Sequence, residues 1–264
     1  MPQKFHSWNV PFFLITYAHK DTVSKFSKNN ESFLTFFDLC RMKFKLLFGI
    51  LIFVSSFVKA QRSSSYSYQM AKMKYGGGGD WYANKTSLPN LIEFCNRNLK
   101  LNISPEEAVV EPGSVEIFQY PFVHLTGHGN VVFNSDEVQN LRKYLLSGGF
   151  LHLDDNFGMD KFIRREMKKV FPELDFVEVP FSHPIYHQKF NFDKGLPKVH
   201  QHDGKPPQGF GLFSQGKLVC FYTYECDLGN GWEDQAVYND PETIRQQALQ
   251  MGANILSYAI TRSF

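Results

Sequence analysis

The chain has 264 residues, 43% of them hydrophobic and 20% charged, which suits one sizeable core with appendages. Its formal charge of +2 is unevenly spread: eight of the 28 Lys and Arg and three of the 26 Asp and Glu fall in residues 1–60, leaving 20 against 23 beyond them. That slightly acidic remainder excludes the concentrated basic footprint that a nucleic-acid surface needs.

Residues 1–41 are rich in Phe but carry no helical or strand period. They read either as a gene-model extension upstream of a start at Met42 or as a disordered segment. Residues 42–60 have the order of a secretory signal peptide: basic Lys43 and Lys45, an apolar run from Leu46 to Phe57, and small-residue cleavage at Val58-Lys59-Ala60 before Gln61. An apolar run of that length falls short of the about 20 residues that span a bilayer, which weakens the competing reading as an uncleaved anchor. The chain is therefore expected to be exported, to a periplasmic or extracellular location, touching the membrane only through this segment. Residues 61–67 form a Ser-rich linker, and 68–264 a single α/β domain.

Within that domain, residues 68–75 are the first candidate strand, running into Gly76-Gly77-Gly78-Gly79-Asp80-Trp81. The glycines match neither G-x-G-x-x-G nor the phosphate-loop pattern, so close backbone packing is favoured over phosphate binding. Thr86 or Ser87 caps a helix over 88–99, with Pro89 tolerated in its first turn. A short strand at Val109-Val110 follows. Residues 122–126 are an apolar strand ending at Gly127-His128-Gly129. Ser135 caps the next helix, Asp136 and Glu137 suit its positive end, and Gly148 stops it. Residues 150–153 return to the sheet and end in Asp154-Asp155-Asn156. A helix over 162–171 stops at Pro172, and residues 174–179 make a strand leading to Ser182-His183-Pro184. Residues 194–208 are looser and hold His200 and His202. Residues 209–213 and 217–223 read as a hairpin around Ser214-Gln215-Gly216, and 224–232 as a polar exit. Asp240 caps a last helix, opened by Pro241 and reaching about Ile260.

Tyr75 to Tyr82 (YGGGGDWY), the run Thr126-Gly127-His128-Gly129 (TGHG) and Gly148 to Asp155 (GGFLHLDD) resemble a bacterial family of exported proteins carrying a domain of unknown function. That family is related to the class I glutamine amidotransferase-like fold, and the resemblance runs from about Tyr75 to Arg262. It implies a three-layer, flavodoxin-like, mostly parallel sheet with helices on both faces, and no established activity. Amidotransferases carry a cysteine on a tight strand-to-helix elbow, whereas the corresponding strand here ends Leu153-Asp154-Asp155-Asn156. Cys95, Cys220 and Cys226 sit in a predicted helix, a hairpin strand and a turn, so thioester chemistry is not expected.

Open α/β sheets keep their sites at the carboxyl ends of the strands. The candidate rim is therefore Asp80, Trp81, His128, Asp154, Asp155, His183, Asp227 and Trp232, with Glu225 at a further strand exit and the tryptophans as flat walls. His128, Asp154, Asp155 and His183 are the candidate ligands of a divalent metal, although no local ligand spacing supports one. His152, inside a strand, is expected to be a satisfied core residue. The functional expectation is a non-enzymatic binding or assembly module for a small polar ligand or a partner chain. The alternative is a metal-dependent hydrolase using these carboxylates and histidines.

Overall fold

The structure, a computed structural model, describes residues 66–262. The extension at 1–41, the signal peptide at 42–60 and most of the linker at 61–67 lie outside the described residues. Seven strands make one sheet: β1 (Met70–Met73), β2 (Ala108–Val110), β3 (Phe122–His128), β4 (Phe150–Phe157), β5 (Val177–Glu178), β6 (Gln208–Ser214) and β7 (Lys217–Tyr224). Their order is β2-β1-β3-β4-β7-β6-β5. The first five of that series are mutually parallel, while β6 runs antiparallel to β7 and β5 antiparallel to β6. The helices are α1 (Ser87–Leu99), α2 (Ser135–Leu146), α3 (Asp160–Val170), the short α4 (Leu228–Trp232) and α5 (Gln235–Tyr238), and α6 (Glu242–Thr261). Among the described residues no helix is long and apolar enough to cross a membrane.

The local chemistry accounts for most element ends. Asn134, one residue before the expected cap, accepts the Asp136 and Glu137 amides, and the Glu137 carboxylate returns to the Asn134 N–H. This is a reciprocal capping box, which serves two backbone donors that the first helical turn leaves unpaired. Gln215 and Gly216 both take positive φ, 51° and 76°, as a two-residue hairpin between right-twisted strands requires. Three expectations are corrected. Thr86 makes no cap bond, because its hydroxyl goes to Glu233. Asp240 does not cap α6; its carboxylate meets His200 instead. The strand expected over 174–179 shrinks to Val177–Glu178, a sheet edge with half-exposed Val177 and little to pair with.

Buried apolar side chains fall into two clusters. Met70, Phe122 and Phe150 join residues of α1 and α6 in one. Ala71, Val123, Leu125, Leu151 and Leu153 join residues of α2 and α3 in the other. Successive strand residues thus alternate between the clusters, as a pleated strand buried on both sides must. Trp232 is fully buried in the first, where its indole N–H donates to Ala248 O at 2.8 Å.

Candidate functional site

β4 and β3 both run further than their apolar stretches, β4 as far as Phe157 and β3 as far as His128. Asp154, Asp155 and Asn156 are therefore strand residues, and Asp154 and Asp155 point to opposite sides of the sheet. The expectation that both would line one cleft is corrected by that pleat.

Asp154 points inward and is fully buried. Its Oδ2 accepts the Gly229 amide at 2.7 Å and its Oδ1 the Leu228 amide at 3.3 Å, with the Thr223 hydroxyl directly against Oδ1. Thr223 also meets His152 Nε2 at 3.1 Å, and His152 Nδ1 meets His124 Nδ1 at 3.0 Å, so four side chains form one chain of polar contacts under Trp232. His152, expected as a satisfied core residue, is held at both ring nitrogens. Burial pushes the Asp154 carboxyl up to about 7, against the lowering effect of Thr223 and Gly229. The same burial pushes His152 down to about 3 and His124 well below its usual range. Gly229 is a glycine for a steric reason: a Cβ there would lie 2.9 Å from both Asp154 Oδ2 and Asn84 Nδ2.

Asp155 points the other way and is 4% exposed. Its Oδ1 accepts the Met159 amide at 2.9 Å, which ties the strand end to the start of α3. Its Oδ2 faces the Tyr222 hydroxyl at 3.3 Å, and the same hydroxyl lies 3.0 Å from Asp160 Oδ1. Burial raises the Asp155 carboxyl above its ordinary range, with the Asp160 and Asp227 charges adding to the rise. Asp155 and Glu225, both 4% exposed, line a cavity of about 320 Å³ together with Phe157, Asp160, Tyr224 and His202.

Behind that cavity lies Asp227, fully buried and held at a left-handed φ of 53°. One of its oxygens, Oδ2, receives His202 Nε2 at 2.6 Å, His200 Nδ1 at 3.0 Å and Asn230 Nδ2 at 3.3 Å. The hydrogen bond to Asp227, with Asp240 at the other ring nitrogen, holds His200 above the usual imidazole range despite its burial. His200 and His202 reach one carboxylate from the bent loop before β6, which brings both rings onto Asp227 Oδ2. Sequence reading passed over them, and the His-x-His-Asp spacing at 200–203 was the available signal. It also missed Tyr222 and Thr223, whose roles depend on β7 lying beside β4.

At the exits of β1 and β3, the His128 amide donates to Asp80 Oδ1 and the His128 ring meets Asp80 Oδ2 at 2.9 Å. Gly76, Gly77 and Gly79 lie against this turn and the residues after it, whereas Gly78 has nothing within 4 Å of where its Cβ would be. A Cβ at Gly79 would sit 2.7 Å from Asn130 O and 2.8 Å from His128 O, so the run serves close backbone packing. The Tyr75 hydroxyl lies within the fields of both Asp80 and Asp155, and the Tyr238 hydroxyl within those of Asp80, Asp227 and Asp240. Asp80, His128, Asp155 and Asp227 thus share one edge. Trp81 packs partly buried against the second apolar cluster.

Two expected members do not join them. His183 rests against Phe213 and Tyr258, and Tyr258 packs on Phe150, the first residue of β4. It lies at the opposite end of the strands, beyond a turn in which its own N–H donates to Pro180 O. Trp232 is core and offers no wall. The four expected metal ligands are accordingly dispersed, with His183 at one end, Asp154 inside and Asp155 outside. Among the described residues no group of three or more His, Cys, Asp or Glu is placed to hold a metal ion. Cys95, Cys220 and Cys226 are buried, and burial raises all three thiols.

No curated protein matches the chain. The sequence profile of a domain of unknown function, DUF4159, matches residues 69–260, from the first strand to the end of the last helix. The chain belongs to that family.

Proposed function

We propose that this chain is an exported binding domain that holds a small polar ligand where β4 and β7 end. The observation that carries the reading is the cavity of about 320 Å³ into whose walls two nearly buried carboxylates, Asp155 and Glu225, are built. Burying a carboxylate costs free energy unless something compensates it. Glu225 has Lys198 at 3.1 Å, whereas Asp155 has no cationic partner among the described residues. Such a group in the wall of an open cavity favours a binding role over a packing one. The three-layer, flavodoxin-like reading draws support from the alternation of β3 and β4 residues between two apolar clusters, each joined by different helices. Export rests on the basic, apolar and small-residue order of residues 42–60. The metal-dependent hydrolase reading gains nothing from the dispersed positions of His128, Asp154, Asp155 and His183. Glutaminase chemistry is disfavoured by the burial of Cys95, Cys220 and Cys226.

A screen of polar fragments by saturation-transfer NMR tests the assignment, run on the full chain and on Asp203→Trp. Asp203 is an exposed lining residue, so the bulky ring should obstruct the cavity without disturbing the core. Fragments that bind the parent and are lost from the variant are expected. Hits that survive the substitution unchanged would place binding elsewhere and sink the reading.

A further inference from the structure

The hydrogen bonds around the cavity specify what kind of ligand it accepts. His202 uses Nε2 on the buried Asp227 carboxylate at 2.6 Å, and a carboxylate can only accept. The proton of neutral His202 is therefore on Nε2, and Nδ1 carries a lone pair. Among the described residues Nδ1 has no hydrogen-bond partner, and the ring lies in the cavity wall 4.8 Å from the ring of Phe157. Asp227 holds this arrangement at a backbone conformation that non-glycine residues seldom adopt.

The carboxylates of the wall differ in one respect. Asp160 is paired with Arg164 at 2.7 Å, Glu225 with Lys198 at 3.1 Å, and Asp203 has Lys205 at 3.8 Å. Asp155 has no cationic partner among the described residues. Its second oxygen competes with Asp160 for the single proton of Tyr222, which stands 0.3 Å nearer to Asp160, at 3.0 against 3.3 Å. Lys161, also in the wall, has its ammonium over the Phe162 ring at 4.7 Å. Phe157 is half exposed and offers an aromatic face beside both groups.

A nearly buried carboxylate without a counter-ion, a bare imidazole nitrogen and an open aromatic face share one property. Each attracts a cationic N–H donor. We propose that the cavity takes a ligand bearing a protonated primary amine, received by the Asp155 carboxylate, His202 Nδ1 and the face of Phe157. Asp227 acts on the ligand through His202, as a positioning residue. This rests on the binding reading above and narrows it to one chemical class. An anion would be repelled by the unpaired Asp155 charge and could draw only on Lys161, whose ammonium lies over Phe162, and a neutral alcohol would leave the Asp155 charge uncompensated.

Three probes of one shape and different charge test the proposal: benzylammonium, benzyl alcohol and benzoate. They are titrated at constant ionic strength into full chain labelled with ¹⁵N-histidine. Benzylammonium is expected to shift the His202 nitrogen signals saturably, and the other two to leave them where sodium chloride does. Asp155→Asn keeps an acceptor for the Met159 amide and should weaken benzylammonium at least tenfold. Asp227→Asn should replace the pure Nε2–H signature of His202 by a tautomer mixture and weaken binding several-fold, which a purely structural Asp227 would not do in a folded variant. Should Asp155→Asn fail to fold, His202→Phe supplies the comparison, with benzylammonium binding followed by titration calorimetry in parent and variant and the same tenfold loss expected. If benzoate or benzyl alcohol saturates the cavity and benzylammonium does not, the amine class falls while the binding reading stands. If none of the three binds, both fall.

Discussion

Asp154 is fully buried, yet its carboxyl receives the amides of Leu228 and Gly229 and stands against the Thr223 hydroxyl. Desolvation wins over those bonds and raises the group from 3.8 to about 7. The folded chain therefore keeps a proton that the unfolded chain has released, and this group's contribution to stability falls as pH rises from about 4 to 7. At 1.36 kcal/mol per pKa unit the effect is of the order of 4 kcal/mol across that window. His152, lowered from 6.5 to about 3, and His124, also lowered, act in the opposite sense. The unfolded chain protonates them first, so stability falls as pH drops below 6.5. In the native protein the two trends oppose each other between pH 4 and 6.5. Asp154→Asn removes one of them. Urea unfolding from pH 4.5 to 7.5 should show stability rising with pH more steeply in the variant, above a general loss of about 1–3 kcal/mol for the amide that meets the Gly229 N–H. Parallel pH profiles for the two proteins would refute this account.

Among the elements, the exit of β3 shows how one backbone position places a loop. Gly127 has φ +143°, and a Cβ on it would collide with the Tyr75 hydroxyl and lie 3.0 Å from the Asp80 carbonyl oxygen. The Tyr75 hydroxyl donates to Thr126 O at 3.2 Å, which keeps it there. Gly129, two residues on, has φ +77° and nothing within 4 Å of where its Cβ would be. Gly127→Ala should thus destabilise by roughly 2–4 kcal/mol, combining strain with a collision, while Gly129→Ala should cost only about 1–2 kcal/mol of left-handed strain. Thermal unfolding of the pair checks it; equal losses would mean that the Tyr75 contact is dispensable. The loss at Gly127 should also release the Asp80–His128 contact, since the His128 amide is the next donor along the chain.

For the whole molecule, the proposal of a processing site rests on the order of basic, apolar and small residues in 42–60. N-terminal sequencing of protein recovered outside the cytoplasm is expected to read from Gln61. A chain that retains Met42 would rule out cleavage there. Among the described residues the sheet's first strand begins at Met70 and pairs on both sides, with β2 and with β3. Asn254 on α6 ties the last helix back to the segment after β5. Its amide donates to Phe190 O at 2.7 Å and to Tyr186 O at 3.1 Å, and its oxygen accepts the Lys189 and Phe190 amides.

The βαβ unit over residues 122–158 was legible from sequence because each signal in it is local. An apolar run, acidic first-turn residues and a glycine stop act within a few residues of one another. The polar character of the strand ends at Asp80, His128, Asp155 and Asp227 could be read as well, since charges after apolar runs mark where strands leave the core. What only the tertiary structure decided was direction and company. β4 extends to Phe157 because β3 pairs with it that far, β7 stopping at Asp154, and that extension turns Asp154 inward and Asp155 outward. His200 and His202 join the site through Asp227, 27 and 25 residues away respectively. His183 leaves it because the chain after β5 turns at Pro180, whose carbonyl accepts the His183 N–H, and sets the ring against Phe213 and Tyr258. Pairing partners are set by long-range burial, which local pattern does not encode, and the chemistry of this edge depends on those partners.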